Sequence, residues 1–349
     1  MATPQQSARS NAVWKLQKER LSSLLKTLMQ TYTVFAPIKQ DETRYEELAT
    51  EDAIKDITLE EFPLFPAKKI FFPKEETLFH FKGNTLTPAT PQKKPKVVFG
   101  LRRCDLNAIA HQDIAFTTEH PDPYYQARRD ETVLIGIHCA TAYDEYCFCG
   151  SLNLDKNAQD IMLYPKADHY LLEATSNQGE QLLNNLAQTL PDTLTPTPHS
   201  ISDEEKTTPG TNNLATINLN HFINNKQWEE PASRCIDCAA CNTLCPTCYC
   251  FEIHDTSSLP ELTKGKRERK WSACMTPSFT RVAGDHIFRH ELLDRFKHRI
   301  YHQLQWFKDR FGVHLCVGCG RCIRGCPERI DFRSTINAFK ENTPEENTP

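Results

Sequence analysis

Residues 235–250 read CIDCAACNTLCPTCYC, six cysteines in sixteen positions. Further on, CVGCGRCIRGCP (316–327) repeats the Cys-x2-Cys-x2-Cys-x3-Cys-Pro pattern of CIDCAACNTLCP (235–246) without a gap. Three cysteines at two-residue gaps can bind three irons of one cubane cluster. The same loop turns backbone N–H groups toward the sulfurs and stabilises the cluster's negative charge. The fourth cysteine, followed by a proline that lacks an N–H and fixes the turn, points elsewhere. One such motif could be a zinc site. Two complete copies point to a pair of 4Fe–4S clusters, whose chemistry is one-electron transfer.

In bacterial two-cluster ferredoxins the fourth cysteine ligates the other cluster. Carried over to the matching positions, one cluster takes Cys235, Cys238, Cys241 and Cys326. The other takes Cys316, Cys319, Cys322 and Cys245. The swap would staple the two motifs together. About seventy residues separate them, which suggests a helical ferredoxin arrangement rather than the compact one.

Seven of the fifteen cysteines lie outside these sets: Cys104, Cys139, Cys147, Cys149, Cys248, Cys250 and Cys274. KVVFGLRRC (96–104) and TVLIGIHC (132–139) are β-branched runs that each end in a cysteine. The segment between suits helices around a proline-containing loop, so the two strands should be parallel. Cys104 and Cys139 would then lie just past the carboxyl ends of neighbouring strands, where α/β sheets bind ligands. Cys147 and Cys149 follow closely. These four thiols predict a third iron–sulfur cluster. Zinc in the same thiolates is the rival, and redox-active or merely buried cysteines are another.

Cys248, Cys250 and Cys274 are one thiol short of a further cubane. A ligand such as His254 or a partner's side chain could complete it. The trio could equally shield the Cys316–Cys322 cluster and tune its potential. In a further variant Cys248 or Cys250 replaces Cys245.

Several elements must position these groups. Trp14, Leu21, Leu25 and Leu28 predict a helix over 7–30, and KIFFPKEETLFHF predicts short strands. IMLYPKADHYLLEAT reads as a hairpin turning at 165–168, and 179–190 as a helix. The Pro- and Thr-rich stretch 190–213 reads as a linker, with a domain boundary near 210–225 and a short helical lead-in at 221–229. FTRVAGDHIFRHELLDRFKHRIYHQLQWFKDRFG reads as one amphipathic run, with Phe288, Leu292, Phe296 and Ile300 on a common face. The expected class is α+β. An N-terminal α/β domain (1–220) with a short, partly parallel sheet precedes an α-helical dicluster ferredoxin domain (221–349).

Composition narrows the function. The chain has 349 residues, 39% hydrophobic and 25% charged, with a formal net charge of −4. That balance draws it neither to nucleic acid nor to an anionic membrane. No apolar run approaches the roughly 18 residues of a membrane span. MATPQQSARSNAVWKLQKER lacks an apolar signal core and is basic. It reads as a surface helix, with an organellar transit peptide as the rival. Clustered cysteines in odd number favour metal in a reducing compartment over disulfides, so a cytoplasmic and anaerobic setting is expected. KGKRERK (264–270) reads as a solvated turn or strand edge. An acidic docking partner is the second reading, and nucleic acid a distant third. Arg102, Arg103, Arg128 and Arg129 flank the third cysteine set. There is no GxGxxG after a strand and no general acid or base, so no substrate site is expected on this chain.

KIFFPKEETLFHF, VVFGLRRCDLNAI, PYYQARRDETVLIGIHC, EYCFCGS, CPTCYCFEIHD, KWSACM and FGVHLCVGCGRCIRGCP occur in this order. Over about 65–335 the chain resembles the iron–sulfur subunit of anaerobic sulfite reductase. It is also similar to the beta subunit of cytoplasmic nickel–iron sulfhydrogenases. The resemblance implies an electron-transfer subunit of an oxidoreductase complex. Such a subunit would relay single electrons from a flavin-containing NAD(P)H-oxidising subunit to a sirohaem subunit that reduces sulfite to sulfide. In the hydrogenase relative a nickel–iron subunit stands at the end of the relay. A metal-binding scaffold or redox sensor without electron throughput is the reading from another class.

Overall fold

The computed structural model describes residues 13–341. In chain order the strands are β1 (Val13–Gln17), β2 (Thr33–Ile38), β3 (Arg44–Glu47), β4 (Glu75–Lys82), β5 (Thr85–Pro88) and β6 (Lys96–Leu101). They continue as β7 (Thr132–Ile137), β8 (Ile161–Pro165), β9 (His169–Ala174), β10 (Leu194–Thr197), β11 (Phe251–Ser257) and β12 (Lys264–Trp271). One sheet has eight strands in the order β10-β1-β9-β8-β7-β6-β2-β3. Its centre, β2-β6-β7-β8, is parallel, and its flanks are antiparallel. Every residue of β7 (TVLIGI) is buried, as befits a parallel strand covered on both faces.

The period-two alternation of these strands builds two cores. Val97, Phe99, Val133 and Ile135 face helices Leu21–Met29 and Asn177–Thr189 through Leu25, Leu28, Leu183 and Leu186. Val98 and Leu134 face the other way, onto Leu106, Ile109 and Phe116 of helix Arg103–Thr117 and Tyr125 of helix Pro123–Arg129. Asp122 caps the latter helix through the N–H groups of Tyr124 and Tyr125, with Pro123 at its first position. The crossover pair β6–β7 is parallel as expected, and β8–β9 is the expected hairpin.

The second sheet is antiparallel, in the order β11-β12-β4-β5. It joins chain from either side of the boundary expected near 220. KGKRERK lies in β12, an inner strand paired with both β11 and β4, not a turn or an edge. Three of its cations pair within the chain, Lys266 with Glu268, Arg267 with Asp255 and Arg269 with Glu76. Arg269 is buried among Glu76, Asp122 and the rings of Phe72 and Phe251.

Three other expectations change. Residues 7–12 of the predicted first helix lie outside the described residues. Trp14 belongs to β1, because its neighbours find ladder partners on β9 and β10, and the helix is only Leu21–Met29. The long C-terminal run is helical from Leu292, passes a π-helical stretch at His302–Trp306 and ends at Phe311. Phe288 precedes it, 70% exposed beside His286. The bridge Arg281–Ile287 and a left-handed Gly284 keep that segment out of the helix. Finally, the Pro/Thr-rich linker contributes β10, and Thr208 and Thr211 near its end bond the N-terminal cysteine loops.

The C-terminal core gathers Trp228, Phe296, Ile300, Tyr301, Leu304, Ile323 and Phe339, with Phe148 and Leu152 of the N-terminal part inserted. No helix of the described residues is long and apolar enough to cross a membrane.

Candidate metal centres

All eight cysteines of the two repeats line one cavity with about 950 Å³ of empty space. The repeat is structural as well as sequential. Asp237 and Gly318 hold equivalent positions and both are left-handed, with φ of 57° and 62°; so are Ala239 and Gly320, at 56° and 71°. Each second left-handed residue leads into a one-turn helix, Ala240–Thr243 or Arg321–Arg324. The reversal turns backbone N–H groups inward. Gly318 N–H donates to Cys316 Sγ at 3.4 Å, and Asp237 N–H donates to the Cys235 sulfur. Non-glycine residues rarely take this backbone, so Asp237 and Ala239 carry strain that the loop's shape imposes.

One face of helix Leu292–Tyr301 and the π-helical stretch after it serves these loops with a polar stripe, Arg295, Arg299 and Gln303, all buried. Arg295 Nη2 pairs with Asp237 at 2.8 Å. Arg299 donates to Cys241 O at 2.7 Å and to Cys248 Sγ at 3.2 Å. Gln303 O accepts the Cys316 N–H at 2.9 Å, and its side chain bonds Thr247 at 3.0 Å. Burial works against the Arg299 charge, but the sulfurs of Cys248, Cys241, Cys245 and Cys322 more than offset it and hold the guanidinium firmly protonated. Burial pushes the Cys241 thiol up to about 11, with Arg299 opposing, and it lifts Cys322 well above the usual thiol range. Burial thus disfavours the thiolate form of both. Metal must displace their protons, as iron–sulfur ligation does. Eight thiols around one cavity, with N–H donors aimed at sulfur, fit a pair of cubanes.

The N-terminal thiols lie close by. Cys104 is in the first turn of helix Arg103–Thr117 at the end of β6, where the N-terminal dipole favours negative charge. Cys139 follows the end of β7. Charge on Cys147 raises Cys139, Cys147 and Cys139 raise Cys149, and Cys149 raises Cys104, with burial the larger cause each time. Cys149 is pushed to about 11. The four thiols therefore share one neighbourhood. Thr208 bonds Cys139 O at 3.0 Å, Thr211 bonds the Gly150 N–H at 3.1 Å and Asn213 bonds Cys147 O at 3.1 Å, so the supposed linker clamps these loops. Arg102 reaches to 3.9 Å from Cys139 Sγ. Arg128 and Arg129 instead pair with Glu76 and Asp113, at 2.6 and 3.2 Å.

This set abuts the second repeat. Cys104 packs with Val317 and Cys319. Phe148 N–H donates to Gly318 O at 2.8 Å. A Cβ on Gly318 would lie 2.5 Å from the Cys149 nitrogen, and one on Gly320 2.6 Å from Tyr146 O. The two glycines are thus required both by their φ and by the contact. Beneath them Arg321, fully buried, pairs with Asp105 at 2.9 Å, and Arg324 pairs with Asp144 at 2.7 Å.

Cys248, Cys250 and Cys274 gather around Asn242, whose amide lies 3.7 Å from Cys248 Sγ and 3.1 Å from Cys274 Sγ. Cys248 shares a thiol–thiol hydrogen bond with Cys245, and Cys250 shares one with Cys274. Cys250 holds Cys274 down to about 6. His254 does not complete the trio; it faces Glu268 at 3.8 Å. Buried Lys68 ties the loop by bonds to Asn242 O and Cys248 O, both 3.3 Å. Sequence reasoning missed Lys68, Asn242, Arg299 and Gln303. Only the second pair left a signal, polar residues at four-residue spacing on a predicted helix.

Residues 234–330 match the family model of the 4Fe–4S dicluster domain, which implies two 4Fe–4S clusters. The chain is 31% identical to sulfhydrogenase 2 subunit beta of Pyrococcus furiosus over 338 residues, 94% of this chain and 98% of that protein. On that breadth of likeness, the chain belongs to the sulfhydrogenase beta-subunit family.

Proposed function

We propose that the protein is the iron–sulfur relay subunit of a multi-subunit oxidoreductase of the sulfhydrogenase type, working in the cytoplasm. The single observation that carries this is the common cavity lined by the eight repeat cysteines, in a chain that aligns end to end with a sulfhydrogenase beta subunit. Cys235, Cys238, Cys241 and Cys326 hold one cluster, and Cys316, Cys319, Cys322 and Cys245 the other. When bound, the cubanes supply one-electron carriers. The chain's own residues offset their charge through Arg299 and fix their spacing through the helix that carries Arg295, Arg299 and Gln303.

Cys104, Cys139, Cys147 and Cys149 hold a third cubane, which extends the relay toward the sheet edge. The mutual electrostatic influence of these four thiols supports one shared site, and tetrahedral zinc in the same thiolates is the rival. Electrons enter from a flavin-containing NAD(P)H-oxidising subunit and leave to a nickel–iron subunit. The chain carries no substrate site of its own.

A second reading keeps the relay and changes its end: a sirohaem subunit that reduces sulfite. It is favoured by the ordered run of stretches that resemble the iron–sulfur subunit of anaerobic sulfite reductase. Anaerobic purification of the native complex tests both. Nickel in stoichiometric amount supports the first reading, and a sirohaem absorption band overturns it in favour of the second. If Cys319→Ala left full turnover in either complex, the relay itself would be refuted.

A further inference from the structure

Cys250 precedes β11 and Cys274 follows β12. The ladder continues past the strands, with Ser272 N–H donating to Cys250 O at 3.0 Å. This stem sets Cys250 opposite Ser272, two residues from Cys274, and a side-chain hydrogen bond between the two thiols is the main influence on both. A cubane, by contrast, spreads its thiolates over separate irons. The pairing therefore does not suit a cubane, and with no three cysteine sulfurs within 4.8 Å of one another among the described residues it does not suit tetrahedral zinc. It fits a pair that can bond to itself.

The surroundings support the anionic form that thiol–disulfide chemistry uses. Asn242 donates to Cys274 Sγ at 3.1 Å, and Arg299 lies close enough to favour its negative charge. Cys274 is buried, whereas Cys250 is part-exposed and opens on a solvent-connected pocket with about 640 Å³ of empty space, beside Lys68 and Trp271. The pair also lies between the repeats. Asn242 bridges it to the first repeat, accepting from Cys241 Sγ at 3.7 Å through its Oδ1 and donating to Cys274 Sγ at 3.1 Å through its Nδ2.

We propose that Cys250 and Cys274 form a reversible dithiol–disulfide couple that exchanges two electrons with the two ferredoxin-type clusters. In oxidation the Cys250 S–H bond breaks, the S–S bond to the Cys274 thiolate forms, and one proton leaves through the pocket. The two electrons pass singly, one to each oxidised cubane. In reduction two reduced cubanes each return one electron, and the pocket supplies the proton. The couple joins two-electron chemistry to a one-electron relay. It rests on the two clusters and not on which complex the chain serves.

The test uses the full chain, purified anaerobically and poised either with excess dithiothreitol or with a stoichiometric oxidant. Thiols are then alkylated and the peptides weighed. The oxidised sample should yield a linked Cys250–Cys274 peptide at least about tenfold more abundant than the reduced one. Cys274→Ser should abolish it and leave iron and zinc per chain unchanged. Recovery of both cysteines as free thiols after oxidation, with the clusters intact, overturns the proposal. So does a loss of iron or zinc in Cys274→Ser or Cys250→Ser, which would make them metal ligands. The wild-type comparison decides the matter even where a variant fails to fold. The readout is also independent of nickel or sirohaem in the complex.

Discussion

Gly318→Ala tests the junction between the second repeat and the N-terminal cysteine loops. Gly318 has φ of +62°, and an L-residue there costs roughly 1–2 kcal/mol. The added Cβ would lie 2.5 Å from the Cys149 nitrogen and 2.6 Å from Cys149 Cα and Phe148 C. These are backbone atoms that cannot rotate away, so the loops must part. Overpacking of this kind adds about 1–3 kcal/mol. Gly312 supplies the control. It has φ of +79° and nothing within 4 Å of its virtual Cβ, so Gly312→Ala bears the backbone cost alone. A cluster-bearing chain does not unfold as a simple two-state system, so the comparison is between variants. Anaerobic urea denaturation, followed by tryptophan fluorescence and by the visible cluster absorption, should show Gly318→Ala losing both signals at lower urea. The gap from Gly312→Ala should be about 1–3 kcal/mol. The Phe148 N–H to Gly318 O bond of 2.8 Å should break as well, exposing its amide to hydrogen exchange. If the two variants unfolded together, the close approach of these loops would be refuted.

Asp105→Asn should destabilise by about 3–5 kcal/mol, because it strands Arg321, 0% exposed, without its carboxylate at 2.9 Å. Urea midpoints check this, and a loss under about 1 kcal/mol would mean the pair behaves as a surface one. Arg299→Gln removes the cation between Cys241 and Cys248, which should make an adjacent cluster harder to reduce. Its potential in an electron paramagnetic resonance titration should fall by at least about 59 mV, a tenfold change in a one-electron equilibrium; a rise would contradict the charge argument. With a third cubane, anaerobically purified protein should hold about twelve irons per chain and Cys147→Ser about eight. About eight irons with one zinc in the unaltered protein would sink the third cluster.

Much of this molecule is legible in the chain. The parallel crossover follows from KVVFGL and TVLIGI, because fully buried β-branched runs on either side of a helical segment have few other ways to pair. The tandem cysteine motif carries its own geometry. Its spacing demands a tight loop, and the left-handed residues at 237, 239, 318 and 320 are that demand met. Helix ends were less legible. Trp14 keeps helical spacing with Leu21, Leu25 and Leu28, yet it joins a strand because β9 and β10 offer it ladder partners. Phe288 keeps the spacing of Leu292 and Phe296, yet it follows the Arg281–Ile287 bridge and stays outside the helix, which starts at Leu292.

The question raised by CIDCAACNTLCPTCYC divides along the same line. The order of its first four cysteines alone marks them as half of a ferredoxin set of eight, because ligand spacing is a local property of the loop. What Cys248 and Cys250 do is not local. It depends on a β-ladder that returns Cys274 from twenty-four residues on, and on Arg299, Gln303, Asn242 and Lys68, which arrive from distant segments. KGKRERK shows the same limit. Its charge is plain in the sequence, but only strand pairing decides that Arg269 is buried against Glu76 rather than offered to a partner. Backbone reach and ligand spacing are written residue by residue. Which thiol meets which cation is set by packing, and packing exists only in the folded chain.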